Sequence, residues 1–389
     1  MNILYISISF NKNNNNLYNN LIDSLLQKGH KITVARSDST CEKSFIENET
    51  NNYKILNVKT GNPFEKNLIK KGLNQILLEL FFNRAIKEHL SNDCYDLILY
   101  ETPPVTLSGV VSYCKKYYNA KTFLMLKDIF PQNAVDLEMF SKTSPIYFYF
   151  RKKEEKYYKL SDYIGCMSQG NVEFVKLHNP NVDPSKLHVF YNSIKIEDID
   201  GLSFNDNKTV FIFGGNLGKP QNFPLLLRII EKLKDYDKAE FQIIGKGTEQ
   251  QLIKGTIIEK RLTNLKYEEY LPAKEYEERL KSADVGLISL DYRFTIPNIP
   301  SKFQSYLKLK KPVLAITDEV TDLKEMILKN DCGWWCSAID EDAIVEKIKE
   351  ICEAKDEQVK KGTNGHKLLI NEFDVEKNSK IIEDFMTGI

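Results

Sequence analysis

Three short segments in the second half of the chain carry residue types that hold an anion through the main chain. The first is Gly214-Gly215-Asn216-Leu217-Gly218-Lys219-Pro220-Gln221, which follows the apolar run 209–213 and leads into a helical pattern. Glycines let backbone N–H groups approach an anion closely, the following helix adds the positive end of its dipole, and Lys219 adds a full charge. A diphosphate suits that chemistry, and a plain tight turn suits it equally. It is not a Walker loop, because Pro220 stands where Ser or Thr is needed after the lysine, and the spacing is not that of a dinucleotide fingerprint. The second segment, Gly245-Lys246-Gly247, closes a predicted strand at 240–244, the edge at which open α/β sheets bind ligands. The third runs from Asp291 to Lys302 and enters a helix predicted over 301–308. Pro300 at its first turn and Ser301 beside it leave amide donors free, and Ser305 falls one turn further on the same face. Each segment alone reads as a capped turn. Three of them on one domain's strand ends point to a nucleotide diphosphate.

The first half offers carboxylates instead. Strand 122–126 ends in Lys127-Asp128-Ile129-Phe130-Pro131-Gln132, and strand 97–100 ends in Glu101-Thr102-Pro103-Pro104. A carboxylate at such an edge can orient a hydroxyl or face a developing positive charge, although Asp also serves as a turn residue before Pro and the prolines can simply start the next helix. Asp-x-Asp triplets stand at 198–200, 235–237 and 340–342, but a linker, a turn and a helix start with Asp340 as N-cap explain them better than a metal. The histidines, 30, 89, 178, 188 and 366, have no paired spacing and no nucleophile context. Seven cysteines are scattered, which suits free thiols in a reducing cytoplasm, and Cys332 and Cys336 lack the partners of a zinc site.

Positioning such loops takes strands that alternate with helices. Strand 3–8, a helix carrying Leu17, Leu21 and Leu25, Gly29 as its stop and strand 32–35 make one βαβ unit. Further strands are predicted at 53–58, 97–100, 122–126, 163–167 and 187–190, then at 209–213, 240–244, 284–290 and 313–316, with helices between them. The chain divides into a Rossmann-like domain at 1–195, a polar linker at 196–208, a second Rossmann-like domain at 209–370 and a closing helix at 371–389 expected to pack back on the first domain. That makes 389 residues of α/β protein, which fits two domains of ~100–200 residues. Its 54 basic and 54 acidic side chains cancel, so no general nucleic-acid attraction exists. With 42% apolar and 28% charged residues it is globular, and no run reaches the ~18 apolar residues of a membrane span.

Taken with Lys311-Pro312-Val313, Ser282-Ala283-Asp284-Val285-Gly286-Leu287, Gly333, Ser161-Asp162-Tyr163-Ile164 and Tyr191-Asn192, the three loops resemble, in order and spacing, a retaining glycosyltransferase of family 4. The resemblance spans nearly the whole chain. It implies the GT-B fold, two facing Rossmann-like domains with a central cleft, with the nucleotide-sugar donor held by the second and the acceptor by the first. It places Gly215, Asn216, Lys219 and Gln221 near the donor phosphates, Gly245, Lys246 and Gly247 near the nucleoside, and Pro300, Ser301, Lys302, Phe303 and Ser305 over the diphosphate. Many relatives carry two Glu with seven residues between them, but the corresponding positions here are Pro297 and Ser305. Together with the Asp128 turn, this departure resembles the branch that makes bacterial surface polysaccharides. Catalytic roles then fall to Asp128, Lys219 and Glu101, with no metal or other cofactor, a UDP-sugar of hexose or N-acetylhexosamine type as donor, and retention of configuration.

A lipid-linked or glycan acceptor would call for a membrane-facing surface. Segment 66–90 sets Leu68, Ile69, Leu73, Ile76, Leu77, Leu80, Phe81 and Phe82 among five basic residues, and 146–153 sets aromatics beside Arg151, Lys152 and Lys153. Core packing is the competing explanation for those side chains. The expectation is a cytoplasmic enzyme with peripheral membrane contact. Two other readings stay open: a UDP-sugar 2-epimerase of the same fold, and a non-catalytic sugar or nucleotide binder.

Overall fold

A computed structural model describes residues 1–13, 16–63, 68–197, 207–297 and 299–388, with side chains for all of these except 68–73 and 273. The chain forms two compact units, Met1–Lys195 with Val375–Ile389, and Ile196–Asp374. Most of the expected linker, 198–206, lies outside the described residues.

In the first unit the strands are β1 (Asn2–Ser7), β2 (Lys31–Asp38), β3 (Phe45–Thr50), β4 (Tyr53–Lys59), β5 (Leu97–Thr102), β6 (Lys121–Leu126), β7 (Tyr163–Cys166) and β8 (Leu187–Val189). They form one sheet in the order β3-β4-β2-β1-β5-β6-β7-β8, parallel except for β3. Strands β1, β5, β6 and β7 read as nearly unbroken apolar runs because both faces of a parallel sheet are covered by helices. The order reverses between β1 and β5, so the loops after these two strands diverge and leave a crevice at their carboxyl ends. Helix Val375–Thr387 completes this unit. Its Val375 and Ile382 join the core that Leu21, Ile22 and Leu25 of helix Leu17–Gln27 enter, and Ser24 Oγ donates to Glu376 at 2.7 Å.

The second unit holds β9 (Thr209–Asn216), β10 (Ala239–Lys246), β11 (Leu265–Glu268), β12 (Val285–Ser289), β13 (Val313–Thr317) and β14 (Gly333–Ser337) in the order β11-β10-β9-β12-β13-β14, all parallel. Its reversal lies between β9 and β12. Helix Phe223–Lys232 follows the first glycine turn and buries Phe223, Leu225, Leu226, Leu227, Ile229 and Ile230, each contributing ~1.5–3 kcal/mol on burial. That packing fixes where the turn before it must sit. Helix Lys302–Lys308 is anchored by Tyr306, whose hydroxyl lies 3.1 Å from Ile212 O and 3.0 Å from Leu287 O. Gly286 makes room for the Tyr306 ring, since a Cβ there would stand 2.3 Å from a ring carbon.

Among the described residues, six strands and α-helices are not expected from the sequence: β3, β11, β14 and helices Gln132–Asp136, Ala273–Ser282 and Asp322–Lys329. β3 is an exposed antiparallel edge strand of sequence FIENET, and β11 is a four-residue edge, so neither carries the apolar run of a central strand. Helix Ala273–Ser282 buries Leu280 and is otherwise strongly polar, which leaves no apolar stripe to read.

Candidate active site

The first two glycine turns of the second unit lie side by side. β9 and β10 pair in parallel with Gly245 opposite Gly215 and Lys246 opposite Asn216. Backbone meets backbone here: a Cβ on Gly245 would stand 1.9 Å from Gly215 O, and one on Gly247 would stand 2.2 Å from Leu217 O. Gly215 at φ 123° and Gly245 at φ 152° also occupy backbone conformations that side chains disfavour. Leu217 N donates to Lys246 O at 2.9 Å and Glu249 N to Leu217 O at 2.9 Å, which locks the turns together. Asp291 N donates to Pro220 O at 2.9 Å, bringing in the third loop. All three therefore meet at the carboxyl edge of this sheet, beside its strand-order reversal.

Within this edge Gly215, Asn216 and Lys219 are exposed, and Lys219 carries no ion pair among the described residues. Gln221 Oε1 accepts from Gly218 N at 3.0 Å, so this side chain holds the turn and occupies that amide. Lys246 is exposed, with its ammonium 5.7 Å from the Tyr270 ring centroid. In the third loop, burial raises the Asp291 carboxyl but hydrogen bonds from the Arg293 guanidinium, at 2.9 and 2.8 Å, prevail and hold it below its ordinary range. Ser301 is exposed and makes no side-chain cap, while Phe303 N donates to Pro300 O at 2.9 Å. The Phe303 ring is fully buried and meets Phe373 edge-on, so that side chain belongs to the core. Ser305 is half-buried.

Lys302 is the most distinctive group of the three loops. Its ammonium lies 3.5 Å from the Phe213 ring centroid, and burial pushes its pKa down to about 7. Two neighbours escaped the sequence reading. Gln304 is buried with neither amide atom hydrogen-bonded, and Ser289 Oγ at the end of β12 is likewise unpaired. Gln304 lies on the buried side of its helix with Phe303, Tyr306 and Leu307, a placement that its polar residue type does not announce in the sequence.

The first unit concentrates titratable groups at its own reversal. Glu101, at the end of β5, is buried and accepts from Ser7 Oγ at 2.7 Å, from the Tyr5 hydroxyl, and from Ser9 Oγ at 3.4 Å. Burial raises its pKa, and these hydroxyls pull it back. The carboxylate is thus a hub that orders β1 and the loop after it. Asp128 accepts from Asn133 Nδ2 at 2.6 Å, and burial raises its carboxyl to about 6. Just after β6, and before Asp128 in the chain, stands Lys127. Its Nζ is buried without a hydrogen-bond partner, and burial lowers its pKa to about 7 against the pull of Glu101.

Two doubly wound sheets, parallel except for β3, with polar groups gathered at their carboxyl edges give the chain a GT-B fold. Residues 195–368, which span most of the second unit, match the family described as Glycosyl transferases group 1. The chain is 27% identical over 296 residues to the probable glycosyltransferase WbjE of Pseudomonas aeruginosa, covering 74% of this chain and 73% of that one. Its fold resembles sucrose-phosphate synthase from Thermosynechococcus elongatus, with a TM-score of 0.76 at 12% identity over 100% and 98% of the two chains. It also resembles Anabaena HepE in complex with UDP and glucose, with a TM-score of 0.70 at 13% identity over both whole chains.

The raised Asp128 pKa carries a stability prediction. A folded-state value near 6 against an ordinary value of 3.8 means that ionising this carboxyl costs folding energy, a cost that grows between about pH 4 and 6 and is complete above it. Asp128→Asn avoids it, so the variant should exceed wild type by about 1–2 kcal/mol at pH 7 and lose that advantage near pH 4. Urea midpoints of both proteins across this range check it; a constant gap would refute it.

Proposed function

We propose that this chain is a glycosyltransferase that moves a sugar from a nucleotide diphosphate donor, a UDP-sugar of hexose or N-acetylhexosamine type, to a lipid-linked or glycan acceptor in bacterial surface polysaccharide synthesis. The observation that carries the reading is the convergence of three loops, at Gly214–Gly218, Gly245–Gly247 and Pro300–Lys302, with Lys219 exposed and the Lys302 ammonium unpaired among the described residues. Such an edge meets a diphosphate with main-chain donors and two lysines. A diphosphate beside Lys302 would draw its proton back on, which couples binding to charge. HepE, a structural neighbour, was solved with UDP and glucose, which favours UDP as the nucleotide.

The reaction breaks the bond between the anomeric carbon and the β-phosphate oxygen and forms one to an acceptor hydroxyl, whose proton passes to the departing phosphate on the same face of the sugar. Configuration is then retained. Lys219, Lys302 and loop amides stabilise the charge that develops on the leaving diphosphate, the work a metal does elsewhere. The Asp-x-Asp near the last helices fits this reading, since Asp340 caps its helix by accepting from Ala343 N at 2.9 Å and Asp342 pairs with Lys232 at 2.8 Å. In the first unit, Asp128 and Glu101 would order the acceptor side.

A lipid-linked acceptor also suits the first unit's surface. Ile76 and Leu80 lie one turn apart on helix Leu68–His89 and are 56% and 63% exposed, while Leu78, Phe82 and Ile86 of the same helix are buried. Ile146 and Phe148 open helix Pro145–Leu160, each 55% exposed, near the exposed Lys152. Lys153 and Glu79 bridge the two helices at 3.0 Å. Residues 64–67 and the side chains of 68–73, the remainder of the expected basic segment, lie outside the described ones. Among the described residues, no helix is long and apolar enough to cross a membrane.

Two experiments test this reading. With a panel of UDP- and GDP-sugars, wild-type protein should release UDP in the presence of acceptor, and Lys219→Ala should lower kcat by about 10²–10³ while weakening UDP binding less than tenfold. Silence with every donor, or equal losses in kcat and affinity, would count against transfer. Full-length protein should bind phosphatidylglycerol vesicles at low salt, and the double variant Ile76→Glu, Phe148→Glu should stay in solution with unchanged stability. Equal partitioning of both proteins would remove the membrane surface from the proposal.

A further inference from the structure

The amino edge of the first unit's sheet, opposite the edge at which the titratable groups gather, carries a cavity of about 420 Å³. Strands β1, β2 and β4 begin at its wall with Asn2, Lys31 and Tyr53, the antiparallel β3 ends there at Thr50, and residues 92–95 reach it on the way to β5. At ~3.3 Å per residue, the span of β1 from Asn2 to Ser7 sets this cavity ~17 Å from the carboxyl end of that strand. Ligand pockets of ~300–1,000 Å³ are usually lined by apolar side chains, whereas amides and charges predominate here.

The frame of the cavity is fixed by its own contacts. Asp93 accepts from Lys54 Nζ at 2.6 Å and from the Tyr95 hydroxyl at 3.0 Å, and that hydroxyl lies 2.8 Å from Thr33 Oγ1. Ile32 N donates to Asn52 O at 2.8 Å, which ties the turn between β3 and β4 to β2. A specific set of groups is left over. Among the described residues, the side-chain amides of Asn48, Asn51, Asn52 and Asn92 make no hydrogen bond and Lys31 makes no ion pair, although all of them line the cavity. Lys54 neutralises Asp93, so Lys31 gives the wall its net positive charge.

An amide presents a donor and an acceptor side by side, which matches neighbouring hydroxyls on a sugar. An inorganic anion would use the donors and leave the amide oxygens unmet, and an apolar ligand would strand every one of these groups. Tyr53, half-buried, adds an aromatic ring for the C–H groups of a sugar, and the free ammonium of Lys31 favours a sugar that carries a carboxylate.

We propose that this cavity is a binding site for an acidic oligosaccharide of the uronate-containing kind, remote from the carboxyl edge of the sheet. On the transfer reading above, the site grips a glycan away from its reacting end; the binding itself does not rest on that reading.

Cys94 supplies a local reporter for the test, because it is exposed and lines the cavity, whereas Cys41, in the loop after β2, is half-buried and belongs to the opposite edge. The full chain, without nucleotide, is titrated with an oligogalacturonate and with a malto-oligosaccharide of equal length, and alkylation of each cysteine is followed by mass spectrometry. The oligogalacturonate should bind about tenfold more tightly than the neutral probe and slow Cys94 alkylation several-fold while Cys41 reacts as before. Lys31→Gln should remove the preference for the acidic probe, and the double variant Asn48→Ala, Asn92→Ala should weaken its binding by about tenfold. All three positions are exposed, so the thermal midpoints should match that of wild type, and Cys94 protection in wild type tests the site without any variant. Equal affinity for the two probes, binding of neither, or binding that leaves Cys94 alkylation unchanged overturns the site. With no nucleotide present, these outcomes stand apart from the donor proposal, which UDP release tests.

Discussion

The second unit depends on one close approach, the main chain of Gly245 and Gly247 against that of Gly215 and Leu217. At 1.9 and 2.2 Å from a notional Cβ to a carbonyl oxygen, no side chain can enter, and the two strand ends can register only through glycine. Everything nearby follows from it. The paired turns hold Leu217 between two hydrogen bonds, to Lys246 O and from Glu249 N, and the short turn Lys219–Gln221 then delivers Pro220 O to Asp291 N, which seats the loop leading to Lys302. A rigid main-chain surface arises from pairing, with few side chains needed to support it.

The first unit uses the opposite construction. Its sheet edge is organised by side chains around Glu101, where hydroxyls from Tyr5, Ser7 and Ser9 converge on one buried carboxylate. Backbone cradles suit an anion whose shape is fixed, as a diphosphate's is. A network of hydroxyls, carboxylates and an unpaired ammonium suits a ligand that offers both charge and hydroxyl groups. The two units thus share an architecture and differ in the chemistry placed on it.

Much of the fold is legible along the chain because the central strands carry their own signal. Ile3 to Ser7, Leu97 to Tyr100 and Val210 to Phe213 are apolar on both faces, and the helices between them repeat at four-residue steps. The elements that escaped are edges and polar helices such as Phe45–Thr50 and Ala273–Ser282, whose stability comes from neighbours distant in sequence. The glycine turns are visible as turns, but the register that sets Gly245 opposite Gly215 is a non-local fact. Likewise Asp128 and Glu101 attract notice by residue type, whereas Glu101 proves to be engaged by hydroxyls of β1 almost a hundred positions earlier. Lys127 was readable in principle, as a lone cation ending the apolar run Thr122 to Leu126. Phe303, chosen for its place beside Pro300-Ser301-Lys302, presents a core side chain, and proximity in a motif gave no warning of it.

The central claim is that the linked turns of the second unit hold a diphosphate through their amides, and amide hydrogen exchange with and without UDP tests it most directly. Protection gained on adding UDP should be confined to 214–222, 245–249 and 299–304, with the first unit's strand ends unchanged. Unaltered exchange across those three segments under conditions where UDP binds, or protection gained only at the first unit's edge, would contradict it.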